Sequence, residues 1–590
     1  MRDVSVEQTF AVALESHRAG RLAEAERGYR HVLARCPDHS DALHFLGVIA
    51  LQVNRPEPAL ALIERAVALA PDAAPYHNNL GLVLERLRRD ADARGAYETA
   101  IALDPRFAEA HNNLGHLLMR ADALTEAEAC FRNAIGIDPD YAEPYVNLGN
   151  LQKDRGELDE AIASYRRAIE LRPDLSSVHS NLLLTLHYHA ECTPEELVRE
   201  HRRWAERHVA PLVAERRDHP NAPDPDRRLR IGYVSPDFRE HSVARFMLPI
   251  LDARDHTSFE ILAYADVSRP DSTTEAVKER VDGWRDTYGL TDADLARRVR
   301  DDRIDILVDL AAHSGRNRLL VFARKPAPVQ VTYLGYCSTT GVDAIDYRLT
   351  DRFLDPPGTD LSLYSERSVR LPDCYWCYAA PRVDGDEPRI DRRPGPPTFG
   401  CLNNFAKVTP ATLRLWARLL LRVRDAHLLL HARAGDQCRA ALAVLRDAGI
   451  DESRVRFVGR QPFRDYLATY RDIDVALDPF PFGGGTTTCD ALWMGVPVVT
   501  LTGKTPVSRA GSSLLANAGL SQWIADTEES YLDIAEALMR ERDRVAALRT
   551  ERRALLESSP VMDLPRFVRH LEAAYRSIWS AWCAQRRGAG

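Results

Sequence analysis

The sequence predicts an all-α array of helical repeats followed by an α/β region built as two Rossmann-like, parallel-sheet domains. Two observations predict it. Four residue series in the first third of the chain share one period of 34. After about residue 228, short apolar runs alternate with helical segments, in two blocks divided by a Pro-rich connector. At 590 residues the chain is too long for a single core.

Prolines fall at 37, 71, 105, 139 and 173, and alanines at 25, 59, 93, 127 and 161. Glycines recur at 47, 81, 115 and 149, and a bulky series runs Tyr29, Ile63, Tyr97, Phe131, Tyr165. A 34-residue period with these residue types resembles the tetratricopeptide repeat, two antiparallel helices per unit. Small Gly and Ala let helices approach, the bulky residue fills the gap, and proline stops the second helix just past its end. Five repeats run from about residue 5 to 174; Leu183 replaces the next glycine, so 175–190 reads as a cap. A fifth series, Asn79, Asn113, Asn147 and Asn181, lies two residues before each glycine position, with Phe45 there in an earlier unit. Asparagine amides both donate and accept, so this series predicts a ladder gripping an extended peptide; bonding within the array is the alternative.

Composition bounds the rest. The chain is 45% hydrophobic and 28% charged with a net charge of −8, which disfavours a general nucleic-acid binder. No run approaches a membrane span, and MRDVSVEQTF lacks a signal-peptide core. Ten cysteines are too sparse for a disulfide framework, so the expectation is a reduced, cytoplasmic protein. Cys374 and Cys377 form one CxxC without a second; the aromatics around them predict a strand, with the thiols on opposite faces and no metal.

Residues 191–227 form a helical linker ending in NAPDPDRR, after the array and cap over 5–190. LRIGYVS (229–235), FEILAYAD (259–266), IDILVDLAAH (304–313) and PVQVTYLGY (328–336) predict buried parallel strands of a domain over 228–380. Beyond the connector 381–397, TFGCLNN (398–404), AHLLLHA (426–432), VRFVG (455–459), IDVALDPF (473–480) and PVVTL (497–501) predict a second such domain over 398–583. The cleft between two such domains is the expected ligand site. There is no GxGxxG after the first strand and no GxxxxGK[ST]. Instead Gly483, Gly484 and Gly485 lead into Thr486, Thr487 and Thr488, which open a helix. Helix N-terminal amides and hydroxyls beside glycines suit a diphosphate, and Asp490 one turn on suits ribose hydroxyls; an ordinary capped helix is the alternative.

FPFGGGTTTCDALWMGVPVVT resembles the nucleotide-sugar motif of the SPINDLY and O-linked N-acetylglucosamine transferase family. So do IGYVSPDFREHSV (231–243), PAPVQVTYLGYCSTTG (326–341), DYRLTD (346–351), RLPDCYWCY (370–378) and LNNFAKVTP (402–410). The resemblance covers nearly the whole chain. It implies a two-domain GT-B fold and transfer of a sugar from a nucleotide to Ser or Thr of acceptor proteins held by the repeats. It implies that Lys407 binds the donor diphosphate and stabilises the leaving group, so that no metal cofactor is needed; the DGD of 384–386 is discounted because it lies in the connector. It implies that His241 is a candidate general base and that His313 matches a histidine of the plant branch. The nucleotide site it implies comprises Asn404, Lys407, Gln461, Pro462, Phe463, Tyr466, Gly484, Gly485, Thr486, Thr487 and Asp490.

Gly485 and Tyr466 stand where the animal enzyme has histidines, so the donor is UDP-N-acetylglucosamine or, as in the SPINDLY branch, GDP-fucose. A non-catalytic repeat scaffold is a third reading, against which the intact Lys407, Thr486, Thr487, Asp490 and His241 argue. A glycan or lipid acceptor is a fourth, against which the asparagine series argues. Self-association into a homo-oligomer is compatible with the sequence.

Overall fold

A computed structural model describes residues 5–383 and 388–588. The Asp384–Asp386 pair of the connector lies outside the described residues. The chain divides into two compact units: one runs to Leu151 and includes Glu170–Arg172, and the other holds Gln152–Ile169 and everything from Pro173.

The first unit is a run of helix pairs, from Val6–Arg18 with Leu22–Arg35 through Ala108–Arg120 with Leu124–Ile137. The second helix of each pair ends two residues before its proline, at Arg35, Leu69, Leu103 and Ile137, as a residue without a helical N–H requires. The glycine and bulky series meet. A Cβ at Gly47 would come within 2.6 Å of Ile63, one at Gly115 within 2.7 Å of Phe131, and one at Gly81 would overlap the Tyr97 ring. The turn inside each pair has its own 34-residue series: Asn54, Arg88 and Asp122 all have positive φ, as does Gly20. Phe45 packs among Phe10, Tyr29 and His44.

In the second unit, the helices Ser176–Tyr188 and Pro194–His208 lead to the first sheet. That sheet comprises β1 (Leu229–Ser235), β2 (Phe259–Ala265), β3 (Gly283–Asp286), β4 (Ile306–Asp309), β5 (Val329–Thr332), β6 (Tyr347–Thr350) and β7 (Arg367–Arg370). The second comprises β8 (Thr398–Cys401), β9 (His427–His431), β10 (Val455–Val458), β11 (Val475–Leu477), β12 (Val498–Leu501) and β13 (Ile524–Ala525). Their orders are β3-β2-β1-β4-β5-β6-β7 and β10-β9-β8-β11-β12-β13. Every pairing is parallel, as in β1 with β2 and β8 with β11. Each sheet therefore reverses direction of growth beside its first strand, between β1 and β4 and between β8 and β11. Crevices at the carboxyl ends of such strand pairs are where ligands bind in open α/β sheets.

The strand expected at Cys374–Cys377 does not form. The segment is irregular because its aromatics pack individually: the Leu334 N–H donates to the Tyr375 hydroxyl at 2.5 Å, and the Tyr378 N–H to the Val561 carbonyl at 2.9 Å. Both thiols are buried, and burial raises both pKa values. The final helix, Leu564–Gly588, lies on the first sheet domain: Tyr575 Oη is 3.2 Å from Tyr233 Oη, and Trp579 Nε1 donates to the Asp224 carbonyl at 2.8 Å. No described helix is long and apolar enough to cross a membrane.

Candidate active site

The loops after β8 and β11 flank the second switch point, and they touch. After β8, Asn404 caps a short 3-10 turn, Phe405–Lys407, by accepting from the Ala406 N–H at 3.2 Å. That turn aims Lys407 across the crevice, where Nζ donates to the Gly483 carbonyl at 2.9 Å and lies 4.2 Å over the Phe482 ring. Thr487 Oγ1 donates to Asn403 Oδ1 at 2.7 Å, closing a second link between the loops. Burial pulls the Lys407 ammonium down to about 8, opposed by the Asp478 carboxylate.

The glycine loop is braced from below. Asp478, 1% exposed at the end of β11, accepts from the Gly484 N–H at 2.6 Å and from Thr500 Oγ1 at 2.7 Å. One amide expected to meet a phosphate is thus spent on the loop itself. The amides of Thr486, Thr487 and Thr488, in the first turn of the helix Thr486–Trp493, have no helical acceptors and present a positive helix end. Trp376 lies against Gly485, where a Cβ would sit 3.1 Å from the indole. A larger residue at 485 would have to displace it.

Beside this loop is a cleft of about 460 Å³. It is lined from the first sheet domain by Ser242 and Arg245, and from the second by Asn404, Phe463, Tyr466, Thr486, Thr487 and Asp490. Phe463 and Tyr466 are stacked, ring centroids 5.9 Å apart and 19° from parallel, with the Arg245 guanidinium 4.6 Å over the Phe463 ring. Gln461 and Pro462 are exposed at the start of the helix Phe463–Thr469, and Gln461 Oε1 accepts from Thr469 Oγ1 at 2.9 Å.

Two expectations change on the structure. Asp490 does not present open oxygens for ribose: it is 1% exposed and accepts both Arg245 Nη atoms, at 2.5 and 3.1 Å, with Tyr378 Oη at 2.7 Å and Tyr466 Oη at 3.1 Å. His313 does not offer a ring nitrogen to an acceptor hydroxyl. It is fully buried, with Nδ1 3.0 Å from Ser180 Oγ and Nε2 2.7 Å from the Thr340 carbonyl. The carbonyl requires a proton on Nε2, so Nδ1 accepts from serine and both ring nitrogens are engaged. Burial holds the His313 pKa well below its ordinary value. These bonds tie the helix Ser176–Tyr188 to the loops after β4 and β5.

His241 stands at the carboxyl side of β1 as N-cap of the helix Ser242–Ala253, its Nδ1 accepting from the Val243 N–H at 3.3 Å. Asp237 Oδ2 is 3.6 Å from the same nitrogen. Burial lowers the His241 pKa, with Asp237 opposing. The two neighbours ask for different tautomers: the cap needs a lone pair on Nδ1, whereas a base acting through Nε2 needs the proton on Nδ1, directed at Asp237.

The model of glycosyl transferase family 41 matches residues 175–379 and 397–571. The chain belongs to that family. Tetratricopeptide-repeat models match residues 17–81, 74–107 and 106–174 ahead of the family-41 region. The SPINDLY protein of Arabidopsis thaliana, named a probable UDP-N-acetylglucosamine–peptide N-acetylglucosaminyltransferase, is 38% identical over 412 residues, covering 68% of this chain and 45% of that protein. The SEC protein of the same plant, with the same enzyme name, is 30% identical over 371 residues, covering 61% of this chain and 38% of its own. The chain therefore spans about half the length of the curated relatives it matches. Among solved structures, a Lys-to-Met mutant of the Thermobaculum terrenum O-GlcNAc transferase superimposes with a TM-score of 0.80 at 39% identity, covering 87% of this chain and 98% of that one. The two-domain GT-B arrangement of family 41 is thus the fold of the second unit.

The repeat asparagines ahead of the family-41 region are half-buried and already partly bonded. Asn113 Nδ2 donates to Asn78 Oδ1 at 2.9 Å, Asn147 Nδ2 to Asn112 Oδ1 at 3.0 Å, and Asn79 Nδ2 lies 2.7 Å from His44 Nε2. Each amide spends one donor on the preceding repeat, which fixes its plane and leaves the second N–H and the carbonyl oxygen out of that contact. Asn181 lies in the second unit, half-buried on the helix Ser176–Tyr188.

Sequence reading missed Arg245, Tyr378, Trp376 and Asp478. Arg245 carried a signal: a cation in the first turn of a helix, where the dipole disfavours it.

Proposed function

We propose that this chain is an inverting glycosyltransferase moving N-acetylglucosamine from UDP-N-acetylglucosamine to Ser or Thr hydroxyls of proteins, the repeats holding the acceptor. The observation that carries the reading is Lys407 across the glycine loop, beside the threonine-rich helix end, at the second switch point. The names of the relatives support the donor. As the hydroxyl oxygen bonds to the anomeric carbon, the bond from that carbon to the diphosphate breaks and its electron pair leaves with the nucleotide. Negative charge grows at the diphosphate, where Lys407 and the amides of Thr486–Thr488 are fixed in advance. The cation and helix end do there what a divalent metal does in other transferases. The hydroxyl proton goes to His241 Nε2 in the other tautomer, in which the ring has given up the cap, Nδ1–H donates to Asp237 and Nε2 carries the lone pair. Phe463 and Tyr466 stack on the base, with Asn404, Gln461 and Pro462 around it.

Calorimetric titration with UDP and with GDP tests the donor, followed by mass spectrometry of modified proteins. A UDP-selective signal and an added N-acetylhexosamine are expected. A GDP-selective signal with an added deoxyhexose would replace the donor by GDP-fucose, and no nucleotide binding would leave a repeat scaffold. The repeats are tested by Asn113→Ala with Asn147→Ala, expected to weaken protein glycosylation while sparing hydrolysis of the sugar donor. Equal loss of both would show that the amides serve stability alone. The truncations leave Asn78 and Asn112, each 6% exposed, short of a donor, so thermal unfolding is measured alongside.

A further inference from the structure

We propose that Arg245 is a donor-recognition residue: its guanidinium holds the two seats on Asp490 that a ribose vicinal diol takes, and turns to the donor diphosphate as the diol arrives. The inference rests on the reading of the cleft as a nucleotide-sugar site. Four observations carry it. Arg245 enters from the first sheet domain, while its partner Asp490 belongs to the second. Its two Nη atoms form a fork on the two carboxylate oxygens, at 2.5 and 3.1 Å. A vicinal diol also presents two adjacent donors, so it can replace the fork bond for bond.

Asp490 can lose the fork without losing every partner. Tyr378 keeps one bond to Oδ1 and Tyr466 keeps one to Oδ2, at 2.7 and 3.1 Å. With the diol the carboxylate again has four donors, its full complement. Arg245 in turn has somewhere to go. Its guanidinium lies 4.6 Å over the Phe463 ring, a face on which it can slide with little loss. Thr486 is four residues back along the helix from Asp490, about 6 Å at about 1.5 Å per residue, within the sweep of an arginine side chain. Arg245 would then meet the phosphates from the opposite domain to Lys407, drawing the two domains onto the donor.

The test compares nucleoside with nucleoside diphosphate. Dissociation constants for uridine and UDP, and for guanosine and GDP, are measured on the full chain and on Arg245→Gln. The variant should bind nucleoside no more weakly than the parent. The ratio of nucleoside to nucleoside-diphosphate dissociation constants should fall by about ten- to a hundredfold, the loss of one charge-assisted phosphate contact. An unchanged ratio, or nucleoside weakened as much as diphosphate, overturns the inference. If Arg245→Gln fails to fold because Asp490 is left without a counter-charge, Arg245→Lys decides. It keeps the charge but not the fork, so nucleoside should bind more tightly with the ratio largely kept, and unaltered nucleoside binding overturns it. A parent chain that binds neither UDP nor GDP removes the underlying reading of the cleft, which separates that failure from this one.

Discussion

Replacing Lys407 with alanine should lower sugar transfer by about two to three orders of magnitude while the protein stays folded. A cation about 4 Å from a developing charge, at an effective dielectric near 20, is worth roughly 4 kcal/mol. The part expressed only in the transition state sets the rate, at about 1.4 kcal/mol per decade. The fold should survive because the neighbours have other partners: Asp478 keeps the Gly484 N–H and Thr500 hydroxyl, and Asn403 keeps Thr487. Removing a buried ammonium also removes its desolvation cost. Initial rates with protein acceptor and circular dichroism check both halves. Near-normal turnover would remove Lys407 from the chemistry.

The same side chain gives a pH signature. Its ammonium titrates at about 8 in the protein, lowered by burial. A bound diphosphate favours the charged form and raises that value. Nucleotide binding therefore takes up a proton above pH 8, and affinity should weaken as pH rises past it. In Lys407→Ala this alkaline limb should vanish.

The repeats and apolar strands could be read from sequence because their signals are local and periodic. LRIGYVS and FEILAYA are apolar runs, and they form β1 and β2. GWRD, YRLT and RSVR carry no such run; they are β3, β6 and β7, extended by pairing with neighbours whose order is set elsewhere. CYWCY misled for the converse reason: its aromatics suit a strand, but each finds a separate tertiary pocket. At the candidate site, the Lys407 and glycine-loop motifs were legible, since loops after strands are where such motifs act. The fork on Asp490 was not, because Arg245 and Asp490 are 245 residues apart and meet only across two domains. Nor was the engagement of both His313 nitrogens, which depends on Ser180 and Thr340 arriving from opposite sides.

His313 belongs to a cluster that predicts strong acid lability of the second unit. His179, His187, His201, His208 and His313 are all buried around Trp204 and Tyr336. Burial lowers His201 and His208 to about 4 and holds His187 and His313 well below the ordinary value. The unfolded chain binds these protons near pH 6.5 and the folded chain does not, so stability is complete above about pH 6.5 and falls as pH drops toward 4. At pH 5 His201 and His208, each lowered to about 4, cost about 2 kcal/mol apiece, and His187 and His313 add to this in the same direction. Asp309 and Asp478 oppose this. Burial raises both to about 6, and their protonation in the fold between pH 7 and 5 returns about 3 kcal/mol. His201 and His208 alone outweigh the two aspartates, about 4 against about 3 kcal/mol, and His187 and His313 widen the margin. Thermal unfolding should therefore shift steeply downward between pH 6.5 and 5. His187 isolates the cause, since neither ring nitrogen has a hydrogen-bond partner. His187→Phe keeps a ring against Tyr336, 4.9 Å away between centroids, and removes one titrating group. Its unfolding profile should be shallower by about one proton, with stability at pH 5 raised relative to the parent. A melting temperature flat from pH 7 to 5, or a variant profile parallel to the parent's, would contradict the assignment of acid lability to this cluster.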